Sequence, residues 1–580
     1  MGVFGVLCYT EAMKEQLFKA LSQAAISLGI DAASIRIDYP EKAEYGDFAT
    51  NVALANAKKL AMQPRALAEK IIESFKKSQP DFIESVSIAG AGFINFAVKD
   101  SLFAEEVAAI AGSDGEYGWG KTDSGKKIMV EYTDPNPFKE FHIGHLMSNA
   151  IGESISRLIE SQGASVKRAN WQGDVGPHVA KALWGAQHIK RDPKASAVSF
   201  WGKAYVAGAT AYDDPETKKE IDALNKKVYD RSDAAVNALY DKGRTESLAA
   251  FEDIYKKLGT KFDNYFFEGI EGRNGEAIVR EFQRKGVFEE SEGAVIFKGE
   301  DHGLHTRVFI TSQGLPTYET KELGLNKEKF KIYPDLSESV IITGNEQSDY
   351  FKVLMKVFSL IDQNIASKTK HMSHGLMRFA TGKMSSRKGN VITAESLLSD
   401  IKDQVMEKIA DREFMPEEKD EVADMIAVGA IKYTILRQAI GGDVIFDSAA
   451  SISFEGDSGP YLQYSAVRAK SILEKAKKEG IEPLKIKQLK DPSVEKTGLL
   501  ERLISRFPDI VARARAEYAP QHIAGYLIAL AGAFNGYYAG NTIVDAKDPA
   551  SPYRVALTKA FLTTMTNGLW LLGIKVPKKM

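Results

Sequence analysis

Four consecutive residues, His142-Ile143-Gly144-His145, set two imidazoles around a glycine. Two rings so placed can carry the charge that builds on a phosphate in an adenylyl-transfer transition state, and the glycine lets a ligand approach the backbone closely. Farther along, Lys383-Met384-Ser385-Ser386-Arg387-Lys388-Gly389-Asn390 gathers three cations, two hydroxyls and a glycine in eight residues. That make-up suits a loop that closes on a polyphosphate, although alone it reads more readily as a solvated basic loop. Two further HxxH pairs, His302/His305 and His371/His374, repeat the spacing of a metal site. No H-E-x-x-H pattern or cysteine accompanies any of the pairs, so the latter two read as ordinary polar or core histidines.

A literal Walker A match, Gly115-Glu116-Tyr117-Gly118-Trp119-Gly120-Lys121-Thr122, is also present. A working P-loop follows a strand and opens a helix. Here a helical pattern precedes the match and a strand follows it, so the context is reversed and the match does not read as a nucleotide site.

The elements that must position the first pair can be read from periodicity. Residues 127–132 form a short β-rich run, and Thr133-Asp134-Pro135-Asn136-Pro137 is turn-forming. A helical pattern then runs from about Ile143 to Gln162 with Gly163 placed to cap it, and Val166–Trp171 reads as the next strand. Strand, helix, strand at this spacing is a βαβ unit, which puts the histidine pair where a βα turn enters a helix, the usual nucleotide side of a doubly wound sheet. Upstream, 12–30 and 64–77 have helical periodicity and 86–88 and 93–98 alternate like strands, an α+β block closed by the Gly/Ser/Asp cluster at 113–120. Residues 191–290 read as a charged, mostly helical insertion; strand signals return at 294–297, 307–310 and 340–343; from about 394 onward the pattern is nearly all helical, with no convincing strand series.

Length and composition bound the rest. The 580 residues, 44% hydrophobic and 27% charged, are those of an ordinary globular chain, and at roughly 150 residues per domain they predict about four domains. One cysteine, Cys8, excludes an internal disulfide framework and a cysteine-based metal site, and the opening residues lack a basic n-region, so a cytoplasmic protein is expected. The net charge of −2 hides an asymmetry: residues 460–580 hold 19 Lys and Arg against 10 Asp and Glu. A basic C-terminal quarter on an acidic body suits a polyanionic partner, or simply a lysine-rich helical surface. The uncharged stretch between Glu517 and Asp545 carries Gly532, Gly536 and Gly540 at helix-pairing spacing, but Gln521, His522, Asn535 and Asn541 interrupt it. It reads as a buried helix of a bundle, with no membrane span.

Taken in order, the two motifs resemble those of class I aminoacyl-tRNA synthetases, with a HIGH element at 142–145 and a KMSKS-like loop at 383–387. The stretch 134–146 (DPNPFKEFHIGHL), together with YGDFATN at 45–51, GAGFIN at 90–95 and SFEGDSGPYLQY at 453–464, is similar to the arginyl-tRNA synthetase family. That resemblance implies a Rossmann-like catalytic domain at 116–395 between an N-terminal α+β tRNA-binding domain (1–115), a helical stem-contact region (396–455) and a C-terminal helical anticodon-binding domain (456–580). It implies ATP, used with Mg²⁺ and without a structural metal, and as partners L-arginine and tRNA(Arg), for a monomer that does not meet membranes. It places Glu131, Asp134, Asn136, His142, Tyr318, Glu322 and Gln347 around arginine, and His142, Gly144, His145, Met377, Lys383, Met384 and Ser385 around ATP. Carboxylates are what a planar guanidinium demands. The sequence departs from the family at 322, where Glu stands for the usual Asp, at Asp134 for a common Ser, and at Ser386 for the second lysine of the loop. Lys139, Arg387 and Lys388 compete to supply the missing charge. Another class I synthetase, a small HxGH nucleotidylyltransferase, and a tRNA-binding paralogue without activity remain the alternative readings.

Overall fold

The structure, a computed structural model, describes residues 9–40, 42–113, 115–194, 196–380, 392–488 and 497–580. In the N-terminal part, helices Tyr9–Ile26 and Pro64–Phe75 lie on a three-stranded antiparallel sheet of Phe48–Thr50, Phe93–Val98 and Ile83–Ala89. Pro64 starts its helix with φ already set, and Leu67, Ala68, Ile71 and Phe75 recur at helical spacing to close the core with Leu17, Leu21 and Phe96. The following helix, Asp100–Gly112, instead buries Val107, Ile110 and Ala111 in the larger core shared with the C-terminal helices.

The catalytic sheet has five parallel strands: β1 (Lys127–Glu131), β2 (Ser165–Gln172), β3 (Asn264–Phe267), β4 (Leu336–Gly344) and β5 (Thr369–His374), in the spatial order 3-2-1-4-5. This is the doubly wound order, and the strand order reverses between β1 and β4 while all strands stay parallel, the place where such sheets open a crevice at their carboxyl ends. Helix α1 (Ile143–Glu160) follows β1, and Gly163, with φ 89°, turns the chain back into β2. The insertion contributes helices Ala197–Ala211, Pro215–Asp230 and α2 (Ala234–Leu258), but the expected helical run over 191–290 is broken by β3, which joins the main sheet before α3 (Glu268–Arg284). The strand signals at 294–297 and 307–310 do form strands, in a separate antiparallel sheet with Glu289–Ser291. Helix α4 (Tyr318–Ile332) leads into β4, and α5 (Ser348–Ile361) leaves it.

Beyond β5, β6 (Met377–Phe379) pairs in parallel with β7 (Val444–Phe446), a short strand inside the stretch expected to be nearly all helical. The remainder is helical: α6 (Pro416–Leu436), α7 (Gly459–Lys478), α8 (Leu499–Glu517), α9 (Gln521–Gly540) and α10 (Ser551–Leu571). Helix α9 buries Leu527, Leu530, Ala531 and Phe534, while its glycines at 532, 536 and 540 face open space, so only one face of it is core. Among the described residues no helix is long and apolar enough to cross a membrane. The Walker-like stretch is a packing seam: Asn567 Nδ2 donates to the carbonyls of Gly115 and Tyr117 at 2.7 and 2.8 Å, and Gly118 lies against the Phe507 ring.

Helix α1 ties the parallel sheet to the C-terminal helices. Near its C-terminus Ser154 Oγ donates to Leu571 O at 2.8 Å, and the Arg157 guanidinium donates to Trp570 O at 2.9 Å and to Gly259 O at 3.1 Å. Lys432 of α6, buried at the same junction, donates to Leu258 O at 2.7 Å and Gly573 O at 2.9 Å.

Candidate active site

The turn between β1 and α1 is strained. Thr133, Asp134 and Phe138 hold φ values of 83°, 50° and 67°, a region that side chains with a Cβ seldom enter. Surrounding groups hold it there. Ser148 Oγ accepts from Thr133 N at 2.9 Å, Asn149 Nδ2 donates to Thr133 Oγ1 at 3.0 Å, and Asp134 Oδ1 accepts from Trp171 N at 2.8 Å. Phe138 N donates to Ser247 Oγ of α2 at 3.0 Å, and its ring packs edge-on to Trp201, so the insertion helps to set the turn.

At the mouth of α1 the two histidines cap each other. Gly144 N–H donates to His142 Nδ1 at 3.1 Å and His142 N–H donates to His145 Nδ1 at 3.2 Å, with the rings stacked 3.5 Å apart. Both Nδ1 atoms are therefore acceptors, and each neutral ring carries its proton on Nε2. Burial holds both imidazoles below the usual histidine range, with Lys139 pushing each further down and His142 adding to the effect on His145. They stand at neutral pH as two uncharged Nε2–H donors beside a glycine backbone.

Lys139 itself is half-buried, its ammonium 4.8 Å above the Tyr205 ring, and burial lowers its pKa, followed by the repulsion of Lys181. Lys383, Met384, Ser385, Ser386, Arg387 and Lys388 lie outside the described residues. The segment just after them is placed: Thr393 bridges to His142, Ile143 N donates to Ile392 O at 3.3 Å and Ala394 N to Phe141 O at 2.8 Å. Met377, at the start of β6, is buried in the core.

The expected arginine residues divide into two groups. Glu131, the last residue of β1, and Glu322 of α4 are 1% and 6% exposed and converge with Asp134 on one buried cation, Lys329, whose Nζ is 2.7 Å from Glu131 Oε2. Burial pushes the Glu322 carboxyl up to about 8, with the nearby Glu131 charge adding to the shift and Lys329 opposing it. Asp134 is likewise pushed well above the usual carboxylate range by burial and then by Glu131. Asn136 sits over Gly173, where an added Cβ would lie 2.0 Å from Asn136 Oδ1 and 3.3 Å from Glu268 Oε1. Tyr318, 60% exposed, begins α4 one turn before Glu322, and Gln347 is exposed on the turn Asn345–Gln347 after β4.

Sequence reasoning missed the groups behind this wall. Lys321 and Glu268 form a buried ion pair at 2.6 Å; Asp174 accepts from Gly269 N at 2.9 Å and from the Tyr240 hydroxyl at 2.8 Å; Lys329 and Asn326 lie behind Glu131 and Glu322. One signal was available: Tyr318, Glu322, Asn326 and Lys329 fall on one helix face at spacings of four, four and three. The other histidine pairs have structural partners, His302 stacking on Phe297 and His371 on Phe351. Among the described residues no three His, Cys, Asp or Glu side chains group as a metal site.

Known proteins match this architecture along its length. Residues 106–448 match the family described as tRNA synthetases class I (R), catalytic domain, and the fold and the crevice at the switch point of its sheet are those of a class I aminoacyl-tRNA synthetase. Residues 11–98 match the arginyl tRNA synthetase N terminal domain and 462–580 the DALR anticodon binding domain. The arginine–tRNA ligases of Clostridium botulinum (strain Alaska E43 / Type E3) and Clostridium perfringens (strain 13 / Type A) are each 31% identical, over 96% of this chain and 98% of theirs. The chain belongs to the arginyl-tRNA synthetase family. In fold it is similar to the Thermus thermophilus arginyl-tRNA synthetase (TM-score 0.79, 23% identity, 98% of this chain and 100% of that one) and to that of Plasmodium falciparum (TM-score 0.74, 17% identity, 99% of each).

Proposed function

We propose that the chain attaches L-arginine to tRNA(Arg) at the expense of ATP through an arginyl-adenylate. The observation that carries this reading is the group of three carboxyls, Glu131, Asp134 and Glu322, around a single buried cation beside the turn that holds the two Nε2–H donors. A guanidinium supplies the second cation, and its flat fork of N–H groups matches carboxylates from two sides. Tyr318, Asn136 and Gln347 complete the amino-acid side, and His142, Gly144 and His145 the ATP side.

In the first step the arginine carboxylate attacks the α-phosphorus of ATP. An O–P bond forms, the bond to the bridging oxygen breaks, and pyrophosphate leaves with the electron pair. The attacking group is already ionised at neutral pH, so no general base is needed. Catalysis is positioning plus stabilisation of the phosphate oxygens by His142 and His145 through Nε2–H and by Lys139, whose charge both imidazoles feel. The nucleotide is its Mg²⁺ complex, the ion being carried by the phosphates. In the second step a ribose hydroxyl of the terminal adenosine, by class the 2′-OH, attacks the acyl carbon and AMP leaves. The basic C-terminal quarter supports tRNA contact there, and a single cysteine suits work in a reducing cytoplasm. Aminoacylation of total tRNA with each amino acid in turn tests the reading: arginine alone should be transferred, and transfer of another amino acid in its place would overturn it.

A further inference from the structure

Two carboxyl groups crowded together in a buried pocket disfavour each other's ionised form and can reorient unless something fixes them before the substrate arrives. The groups behind the pocket do so in a continuous chain from one carboxyl to the other. Lys329 Nζ lies 2.7 Å from Glu131 Oε2, Asn326 Oδ1 is 3.4 Å from the same ammonium, and Asn326 Nδ2 donates to Glu322 Oε2 at 3.2 Å. Asn326 Nδ2 also donates to the Glu322 carbonyl at 3.0 Å, an i to i+4 contact that fixes its amide on the helix face. Asn326 and Lys329 are both wholly buried, so neither reaches the substrate through solvent.

We propose that Lys329 and Asn326 are the positioning residues of the arginine pocket: Lys329 fixes Glu131 and Asn326 fixes Glu322, each through Oε2, leaving Oε1 of both carboxylates for the guanidinium. The inference rests on the arginine reading of the pocket given above. It also explains how a glutamate serves at 322: the carboxylate on its longer stem is tied down by an amide from the next turn of its own helix. A buried amide or ammonium left without its partner is costly, so the pair is a specific device rather than filler.

The test measures arginine and ATP Michaelis constants and kcat by pyrophosphate exchange with tRNA present, for Asn326→Leu, Asn326→Ser, Lys329→Met and, in parallel, Glu322→Gln. Loss of a hydrogen bond to a charged group should raise the arginine KM about tenfold in both Asn326 variants, and loss of the ion pair about a hundredfold in Lys329→Met. The ATP KM and kcat should stay within about twofold, because those terms are set at the other end of the crevice. A second readout separates positioning from simple support. Asn326 and Lys329 favour the ionised Glu322 against its burial and against Glu131, Glu268, Asp134 and Tyr350, which face it from β1, the start of α3, the turn and α5. Each Asn326 or Lys329 variant that folds should therefore move the pH midpoint of arginine binding upward, whereas Glu322→Gln, which lacks the carboxyl, should remove that midpoint. If Lys329→Met does not fold, the Asn326 variants decide, and Asn326→Ser is the gentler of the two. An unchanged arginine KM and pH midpoint in a folded Asn326 variant, with Glu322→Gln raised, overturns the positioning roles alone. An unchanged KM in Glu322→Gln overturns the pocket itself.

Discussion

Arginine binding should expel a proton. In the empty pocket the Glu322 carboxyl is pushed up from 4.5 to about 8, first by burial and then by the charge of Glu131, so its protonated form predominates at pH 7. A guanidinium can pair only with the ionised form, so the apparent dissociation constant scales with the fraction that must first lose its proton. That factor is about 2 at pH 8, about 11 at pH 7 and about 100 at pH 6, a loss of roughly fiftyfold in affinity across two pH units. His142 and His145, held below the usual range, stay neutral above pH 7 and do not imitate this slope. The sign for stability is the reverse of an ordinary salt-bridged carboxylate. Between the unfolded value and 8 the folded empty protein binds the extra proton, so its stability falls as pH rises through that window, and arginine removes the penalty. Titration calorimetry in phosphate and in Tris at pH 7 reads the proton directly, as a heat that differs between the buffers in the direction of their ionisation enthalpies. Glu322→Gln should abolish most of that difference and weaken arginine binding by about 2–5 kcal/mol while leaving ATP affinity unchanged. A buffer-independent heat together with a flat affinity between pH 6 and 8 would falsify the account.

His142→Asn keeps a capping acceptor at the start of α1 but moves the donor, so melting should change little while adenylate formation falls by roughly 10²–10³; equal losses in both would make the ring structural. Lys139→Ala should impair turnover strongly and raise the imidazole pKa values of His142 and His145, read by NMR, because Lys139 depresses both. In a double-mutant cycle with Ser386→Lys, partial rescue is expected if the two ammonium groups serve the same phosphate oxygens; strictly additive losses of adenylate formation argue for Arg387 or Lys388 instead. Gly173→Ala drives a Cβ to 2.0 Å from Asn136 Oδ1, so the arginine KM should rise at least tenfold with the ATP KM unmoved, and an unaffected arginine KM would take Asn136 out of the pocket.

Local pattern carried the sheet's entry and much of the crevice. The β-rich run before Thr133 and the cap at Gly163 were readable because turn chemistry and periodicity agree there, and they place His142 at a strand's exit without any tertiary information. Strands β3 and β7 were not readable: each is three or four residues long and owes its pairing to strands 95 and 67 residues away in register. Glu131, Asp134 and Glu322 were singled out only through resemblance, since Glu322 alone on a helix is an unremarkable surface glutamate. What resemblance did not supply was the reason for their burial. Lys329 and Asn326 have no motif, and Glu268 and Lys321 meet only because α3 and α4 pack together. The separate sheet at 289–310 shows the opposite limit, where strand propensity was right and partner choice could not be inferred.

The clamp on α1 gives the molecule a timetable. The helix that opens with the two histidines is made early, yet Ser154 and Arg157 find their partners at Leu571 and Trp570, 417 and 413 positions later. At ordinary rates of translation that is a wait of about 20–80 s. Through that interval the first strands of the sheet and the strained turn are out of the ribosome, while the groups that will lock the far end of α1 do not yet exist. The nascent catalytic half must therefore remain compact on the contacts of its own βαβ unit, and the final turn of α10 acts as a latch that sets the catalytic helix only when synthesis of the helical bundle is done.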